Sequence, residues 1–297
     1  MDIFASLVIN GLSLFSIFLL IALGLNITFG LMGVINFAHG EFLMLGAYTT
    51  YFLQKLFQPI FGDWTYFLSI PVAFIVCAAL GLLLEATLIR RLYGNPFASI
   101  LTTWGVSLIL QQAVRNIFGA SDVDVLTPQI LQGGFQITAN ITLPWARVFL
   151  FAIALGTLAA MAVLLYRTRP GRQVQAVLQN RPMAACLGIP TKKMDAWTFA
   201  YGTGLAGVAG TAVALLGSIG PSTGQHYIID SFLVVVLGGV GSLGGTVAGA
   251  LFMGFFNPVL EYFTSASMGK VLLFIGIIIF LLRKSNGLVS RQTRALD

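Results

Sequence analysis

Positive charge in this chain is confined to a few short stretches, and long apolar runs separate them. Twelve of the 16 Lys and Arg residues fall in three clusters. The clusters are Arg90 and Arg91; Arg167, Arg169, Arg172, Arg181, Lys192 and Lys193; and Arg283, Lys284, Arg291 and Arg294. A helix needs about 20 apolar residues to cross a bilayer. The runs between the clusters are long enough for this, so the pattern predicts several membrane spans.

The low charge content excludes a water-soluble fold. Charged residues make up 9% of the 297 positions, against about 25% in soluble domains. The run 271–282 is apolar on every face, whereas barrel strands alternate over ~10 residues. We therefore predict an all-α integral membrane protein in a lipid bilayer. The net charge of +6 reflects cations that flank apolar spans rather than a nucleic-acid partner.

Nine apolar segments predict about eight transmembrane helices, some of them broken or re-entrant. They are 4–29, 39–54, 66–89, 97–117, 146–166, 195–218, 228–240, 244–262 and 268–283. Segments 228–240 and 244–262 form a broken pair, which either crosses twice or enters and leaves on one side. If all three basic clusters are cytoplasmic, the N-terminus lies outside, the C-terminus is cytoplasmic and 118–145 is external.

Polar residues interrupt the apolar pattern between Asn36 and Glu41. A charge at the bilayer centre costs about 2.5–3.5 kcal/mol, so such groups usually face a cavity, a partner helix or the interface. One interpretation is a broken helix lining a solute path, with Asn36 as the N-cap of the second part. The other is a tight cytoplasmic turn with ordinary capping. The candidate path residues are Asn36, His39, Glu41, Asn26 and Thr28.

Several glycines recur at helical spacing and predict close helix packing. Gly241, Gly245 and Gly249 repeat every four residues, which lets another backbone approach. The glycine-rich run 238–245 also indicates a break between two short helices. Gly204 and Gly207 belong to a G-x-G-x-x-G match at 202–207. No strand precedes that match, so helix packing is favoured over dinucleotide binding.

The basic loop from Arg167 to Asp195 predicts two short amphipathic helices at the membrane surface. Pro170-Gly171 marks a turn, and Pro182 opens the second helix. The loop either docks a cytoplasmic partner or only anchors itself at the interface. The chain has no P-loop, no H-E-x-x-H, no metal-ligand spacing and no convincing nucleophile–base pair. We therefore predict a protein that is not an enzyme and binds no metal or cofactor.

Three runs of sequence resemble the branched-chain amino acid/urea permease group of ABC importers. They are Arg181-Pro-Met-Ala-Ala-Cys-Leu-Gly-Ile-Pro190, Asp230-Ser-Phe-Leu-Val-Val-Val-Leu-Gly-Gly-Val-Gly-Ser-Leu-Gly-Gly245 and Asn36-Phe-Ala-His-Gly-Glu41. The resemblance covers nearly the whole chain in order. The runs 111–116, 183–186 and 225–230 are most similar to the urea branch of the group, its B-subunit permeases.

The resemblance implies that residues 1–297 form a single importer permease domain in the bacterial inner membrane. It implies a second related permease, two cytoplasmic ATPases that use ATP, and an external solute-binding protein. The implied coupling segment seats in the ATPase through Gly171, Arg172, Ala184, Ala185, Gly188 and Ile189.

The implied solute is urea, and the alternative is a branched-chain amino acid or a short amide. A different class, a self-sufficient channel or secondary transporter, would need an ion-coupling carboxylate, for which Glu41 is the candidate.

Overall fold

The computed structural model describes residues 2–32, 36–92, 95–138, 141–284 and 287–289. Its helices are α1 (Asp2–Met32), α2 (His39–Phe61), α3 (Trp64–Thr87), α4 (Pro96–Phe118), α5 (Trp145–Arg167), α6 (Arg169–Gln179), α7 (Arg181–Cys186), α8 (Thr191–Val213), α9 (Thr223–Gly238), α10 (Leu243–Phe263) and α11 (Ala266–Arg283). Short 3₁₀ turns occupy Ile89–Arg91 and Gln129–Leu131. Strands β1 (Gly134–Thr138) and β2 (Ile141–Pro144) pair as an antiparallel hairpin.

The predicted all-α membrane class is confirmed. Six described helical stretches are long and apolar enough to cross a bilayer: Ile3–Gly30, Trp64–Arg91, Phe97–Phe118, Trp145–Arg167, Leu243–Phe263 and Ala266–Arg283. The remaining predicted segments fall in α2, α8 and α9. The prediction 195–218 ran too far, because α8 ends at Val213 and the chain then turns.

Helix α1 forms the centre of the bundle. Leu19, Ile21 and Leu23 are fully buried, and α1 contacts α5, α8, α9 and α10. Burial on every side over residues 15–28 explains why that part of α1 is apolar all round rather than amphipathic. Helices α5 and α11 lie at the periphery, where most of their side chains are not buried by the rest of the described chain.

Two helices begin inside the bundle rather than at its surface. His39, the first residue of α2, contacts the Ile21 carbonyl midway along α1. The first turn of α9 meets the first turn of α2, where Gly40 and Gly224 approach backbone to backbone. The structure therefore favours the broken-helix interpretation of residues 36–41 over a tight surface turn. The predicted break between the last two apolar segments before α11 also occurs, at residues 239–242 between α9 and α10.

The segment predicted as an external loop, 118–145, is more ordered than its sequence indicated. It contains the β1–β2 hairpin, and Val123 pairs with Ile219 in the connection between α8 and α9. The Gln54 side chain holds the Leu126 backbone through both its amide atoms. Contacts of this kind join residues far apart in the sequence, so no local sequence pattern predicts them.

The described members of the three basic clusters lie at one end of the bundle, called here the basic end. Ile89, next to Arg90, packs on Phe199 of α8. The 239–242 break lies at the same end, where Gly241 and residues of α6 line one small cavity. The chain after α11 returns to this break, because Leu288 N–H donates to the Leu237 carbonyl. Arg291 and Arg294 fall outside the described residues.

Candidate functional site

Glu41 is the centre of a buried polar cluster inside the apolar bundle. Its Oε1 accepts hydrogen bonds from Ser107 Oγ at 2.9 Å and Gln111 Nε2 at 2.7 Å, both on α4. The Glu41 side chain is 1% exposed. Its Oε2 atom has no hydrogen-bond partner in the described part of the chain. A buried carboxylate oxygen without a donor is rare, so this oxygen is a candidate contact for a polar solute.

The N-termini of α2 and α9 face each other beside this carboxylate. A methyl group added at Gly224 would lie 2.9 Å from Glu41 Oε2 and would collide with the Gly40 carbonyl. Each helix N-terminus carries a partial positive charge of about +0.5, although the N–H groups of His39, Glu41 and Gln225 already donate to carbonyls of the preceding turn. The junction therefore combines one acidic side chain with two positive helix-dipole ends, at the depth of the middle of α4.

His39 and Asn36 do not join the Glu41 cluster. His39 faces α1, where its Nε2 lies 3.3 Å from the Ile21 carbonyl, and its Nδ1 has no partner among the described residues. Asn36 Oδ1 accepts from Ala38 N–H at 3.0 Å. The prediction of Asn36 as the N-cap of α2 is therefore wrong. Helix α2 begins at His39, so Ala38 holds the N-cap position and Asn36 closes the turn before it. Asn36 Nδ2 also lacks a described partner.

Asn26 and Thr28, predicted as path residues, have structural partners instead. Asn26 Oδ1 accepts from Gly241 N–H at 2.7 Å and so fixes the break between α9 and α10. Thr28 bonds back to the carbonyls of Gly24 and Leu25 on its own helix. Neither side chain reaches Glu41 through a described contact.

The predicted packing glycines lie at close helix contacts, with one change of role. Gly204 packs against Phe74, and Gly207 packs against Ala73 and Cys77 of α3. Gly245 and Gly249 of α10 face the backbone of α9. Gly241 is not on that helix stripe. It lies in the break with φ +78°, a conformation that favours glycine.

We expect Gly207→Leu to reduce the yield of folded protein strongly. A Cβ at this position would lie 2.7 Å from the Ala73 carbonyl oxygen and 2.8 Å from Cys77 Sγ, and overpacking costs about 1–3 kcal/mol or more. The measurement is the thermal midpoint and the monodisperse fraction in detergent. Gly156→Leu on α5 is the control, because nothing lies within 4 Å of its added Cβ. Equal behaviour of the two variants would contradict the packing role.

Two short helices form the predicted coupling segment. Thr168 and Asn180 cap them, accepting from the backbone N–H groups of Gly171 and Met183. The predicted turn at Pro170-Gly171 is instead the first turn of α6, where proline is favoured. Arg181 forms an ion pair with Asp195, and Gln175 Nε2 donates to the Leu165 carbonyl at 2.7 Å. The segment is therefore fixed to both α5 and α8.

The predicted coupling residues divide into buried and exposed groups. Gly171 packs against the backbone of α5, and Ala184 is buried against Val174, Val177 and Met194 while Ile189 is half-buried. Arg172, Ala185 and Gly188 are exposed. Gly188 has φ +80° and open space around it. Met183 and Leu187, one helical turn apart, expose 58% and 74% of their surface and were not among the predicted contacts.

Sequence reasoning also missed Ser107, Gln111 and Gly224. Ser107 and Gln111 are four residues apart, so they lie on one face of α4. That spacing, in an otherwise apolar helix, was the available signal. Nothing local in the sequence indicated that this face meets Glu41, because the contact joins residues far apart in the chain.

Comparison with known proteins identifies the family. Residues 7–282 match the family described as "Branched-chain amino acid transport system / permease component". The chain belongs to this family. The predicted resemblance to this permease group is thereby confirmed. No solved structure matches the chain.

Individual relatives are permeases of amino acid transport systems. The chain is 29% identical to the high-affinity branched-chain amino acid transport system permease protein BraD of Pseudomonas aeruginosa, over 95% of this chain and 94% of the relative. It is 29% identical to LivH of Escherichia coli K12, with the same coverage. It is 26% identical to LivM of that organism over 85% of this chain and 63% of LivM. These names support the permease group and do not support the urea branch.

Proposed function

We propose that this chain is the permease subunit of a binding-protein-dependent ABC importer in the bacterial inner membrane, with residues 1–297 forming one permease domain. The observation that carries the proposal is the buried junction of the α2 and α9 starts beside Glu41, in a chain that belongs to a permease family. Half-helix N-termini that meet inside the membrane are a recurring solute-site design in transporters.

The orientation follows from the basic end. The clusters at Arg90, Arg167–Lys193 and Arg283 share that end, and the positive-inside rule assigns it to the cytoplasm. The N-terminus is then outside and the C-terminus cytoplasmic.

The importer needs partners that supply the energy and the rest of the path. Similarity to both LivH and LivM supports a second, related permease beside this chain. Two cytoplasmic ATPases would dock on the α6–α7 segment and hydrolyse ATP, while an external binding protein delivers the solute. This chain itself would bind no cofactor.

A branched-chain amino acid is the solute that the site and the relatives favour. Its ammonium group suits Glu41 Oε2, and its carboxylate suits the positive dipole ends at the starts of α2 and α9. Urea remains a second candidate, because the run 111–116 that resembles the urea branch places Gln111 against Glu41. Urea would donate to Glu41 Oε2 with its carbonyl oxygen toward the same helix ends, without an ion pair.

We expect unlabelled leucine to suppress labelled leucine uptake by the assembled importer at least about tenfold, and equimolar urea to leave it unchanged. The ion pair and carboxylate contacts available to leucine exceed what neutral urea can form. Proteoliposomes with both permeases, ATPases and binding protein measure this directly. The matched assay with labelled urea gives the reverse order if urea is the solute. ATP-independent movement of either solute by this chain alone would contradict the importer and favour a channel or secondary transporter.

A further inference from the structure

An apolar groove of about 320 Å³ lies at the basic end, between the first turns of α8 and the α5–α6 corner. Lys193, Trp197 and Tyr201 of α8 form one wall, and Leu164, Pro170 and Val174 form the other. The volume is in the range of small-molecule sites. None of these residues takes part in the Glu41 cluster, so the groove is separate from the proposed solute site.

The α8 wall changes its chemistry with depth. Lys193, Trp197 and Tyr201 follow one another at four-residue intervals, so they lie on one face of the helix. The order from the basic end inward is ammonium, indole and phenol. Trp197 is 64% exposed on this face. Lysine reaching the headgroups and tryptophan at the interface are typical of helix surfaces in contact with lipid.

The charge at the mouth of the groove indicates what kind of polar group a ligand would place there. Lys193 is exposed and is the one cation among the described residues that line the groove, and residues 167–194 contain no Asp or Glu. The acid that follows, Asp195, is held by Arg181. A ligand at this mouth therefore meets the Lys193 ammonium without an unpaired carboxylate beside it.

The groove itself favours an acyl chain over a peptide or a polar metabolite. A peptide would bury backbone N–H and C=O groups that the apolar walls cannot pair. An acyl chain has no such groups. We propose that the groove binds one anionic phospholipid, with an acyl chain between α6 and α8 and its phosphate beside Lys193.

Selectivity for the anionic headgroup must come from Lys193 rather than from the apolar walls. A lipid tail gains little on leaving other lipid tails. A basic residue near a membrane surface favours anionic lipid by roughly fivefold. The site should thus discriminate phosphatidylglycerol from phosphatidylcholine by about that factor.

The test uses Trp197 as the reporter of a neighbouring acyl chain. The other three tryptophans, Trp64, Trp104 and Trp145, are replaced by Phe in the full chain, which is placed in nanodiscs. Trp197 fluorescence is measured with a minority of brominated phosphatidylglycerol in phosphatidylcholine, and with the same fraction of brominated phosphatidylcholine in phosphatidylglycerol. We expect roughly fivefold more effective quenching by the brominated anionic lipid.

Matched variants separate a site from general attraction to the basic end. Lys193→Gln should equalise quenching by the two lipids, whereas Lys193→Arg should keep the preference for the anionic lipid. Lys192→Gln should also keep it, because Lys192 is exposed but does not line the groove. Equal quenching by the two brominated lipids in the protein with native Lys193 would mean that bulk lipid contacts Trp197 without selection, and it would overturn the proposal. Absence of quenching by either lipid would mean that protein covers the groove, which overturns it as well.

Discussion

Glu41→Gln is expected to lower ATP-driven leucine uptake by at least about tenfold while leaving the importer assembled. The side chain keeps its shape, and its amide oxygen still accepts from Ser107 and Gln111 on α4. What disappears is the negative charge available to a solute ammonium through Oε2. Hydrogen bonds to charged groups contribute about 1.5–3 kcal/mol, which corresponds to a loss of roughly ten- to a hundredfold in solute affinity.

The same substitution also discriminates between the two candidate solutes. Urea carries no charge and can accept as well as donate, so the NH2 group that replaces Oε2 in Glu41→Gln could donate to the urea carbonyl, and urea uptake would fall much less. Initial rates over a range of solute concentrations, with detergent-stable complex as a measure of assembly, give both results. Glu261→Gln, near the far end of α10, is the matched control. Unchanged leucine kinetics in Glu41→Gln would assign Glu41 to holding α4 against α2.

The sequence predicted the helices better than it predicted their depth. Apolar length and flanking charge are local properties, so α3, α4, α5 and α11 were predicted within a few residues. Helix α2 begins at His39, at the depth of Ile21 of α1. That depth depends on a contact between two helices, which the periodicity of the sequence does not predict. The glycine and polar run at 30–41 indicated a break without showing that the chain turns back into the bundle.

The same distinction applies to the site. Glu41 was identifiable because a lone carboxylate in an apolar segment is costly. Its partners Ser107 and Gln111 were not, because they lie on another helix. Asn26 was assigned to the solute path on polarity alone, yet it bonds to the backbone of the α9–α10 break. Polarity within a span therefore predicts a partner, whereas the identity of that partner requires the tertiary structure.

Substitutions on the exposed surface at and just after α7 should impair energy coupling without changing the solute site. Met183 and Leu187 project from a loop that is held on its other side by the buried contacts of Ala184. Exposed apolar side chains beside each other commonly mark a protein interface. Gly188, with φ +80° and no neighbour within 4 Å of an added Cβ, leaves room next to them. This arrangement suits insertion into a groove of the ATPase.

Leu187→Asp should therefore reduce ATP-coupled uptake at least about tenfold, because burying an unpaired carboxylate in an apolar interface is strongly unfavourable. The change lies on a side chain that is 74% exposed, so folding of the permease should be unaffected. Co-purification of the ATPases and ATP hydrolysis stimulated by the loaded binding protein measure the coupling. Ile130→Asp is the control, because Ile130 is 62% exposed within the 118–145 segment, outside the α6–α7 segment.

Gly188→Trp tests the space beside Leu187 independently. It adds bulk to the docking surface and forces a non-glycine residue into a positive-φ conformation, so we expect uncoupling with the protein still in the membrane. Loss of ATPase binding in Leu187→Asp and Gly188→Trp and not in Ile130→Asp is the expected pattern. Full coupled uptake by Leu187→Asp and Gly188→Trp would show that the ATPases engage another surface, because neither substitution could be accommodated within a packed apolar interface.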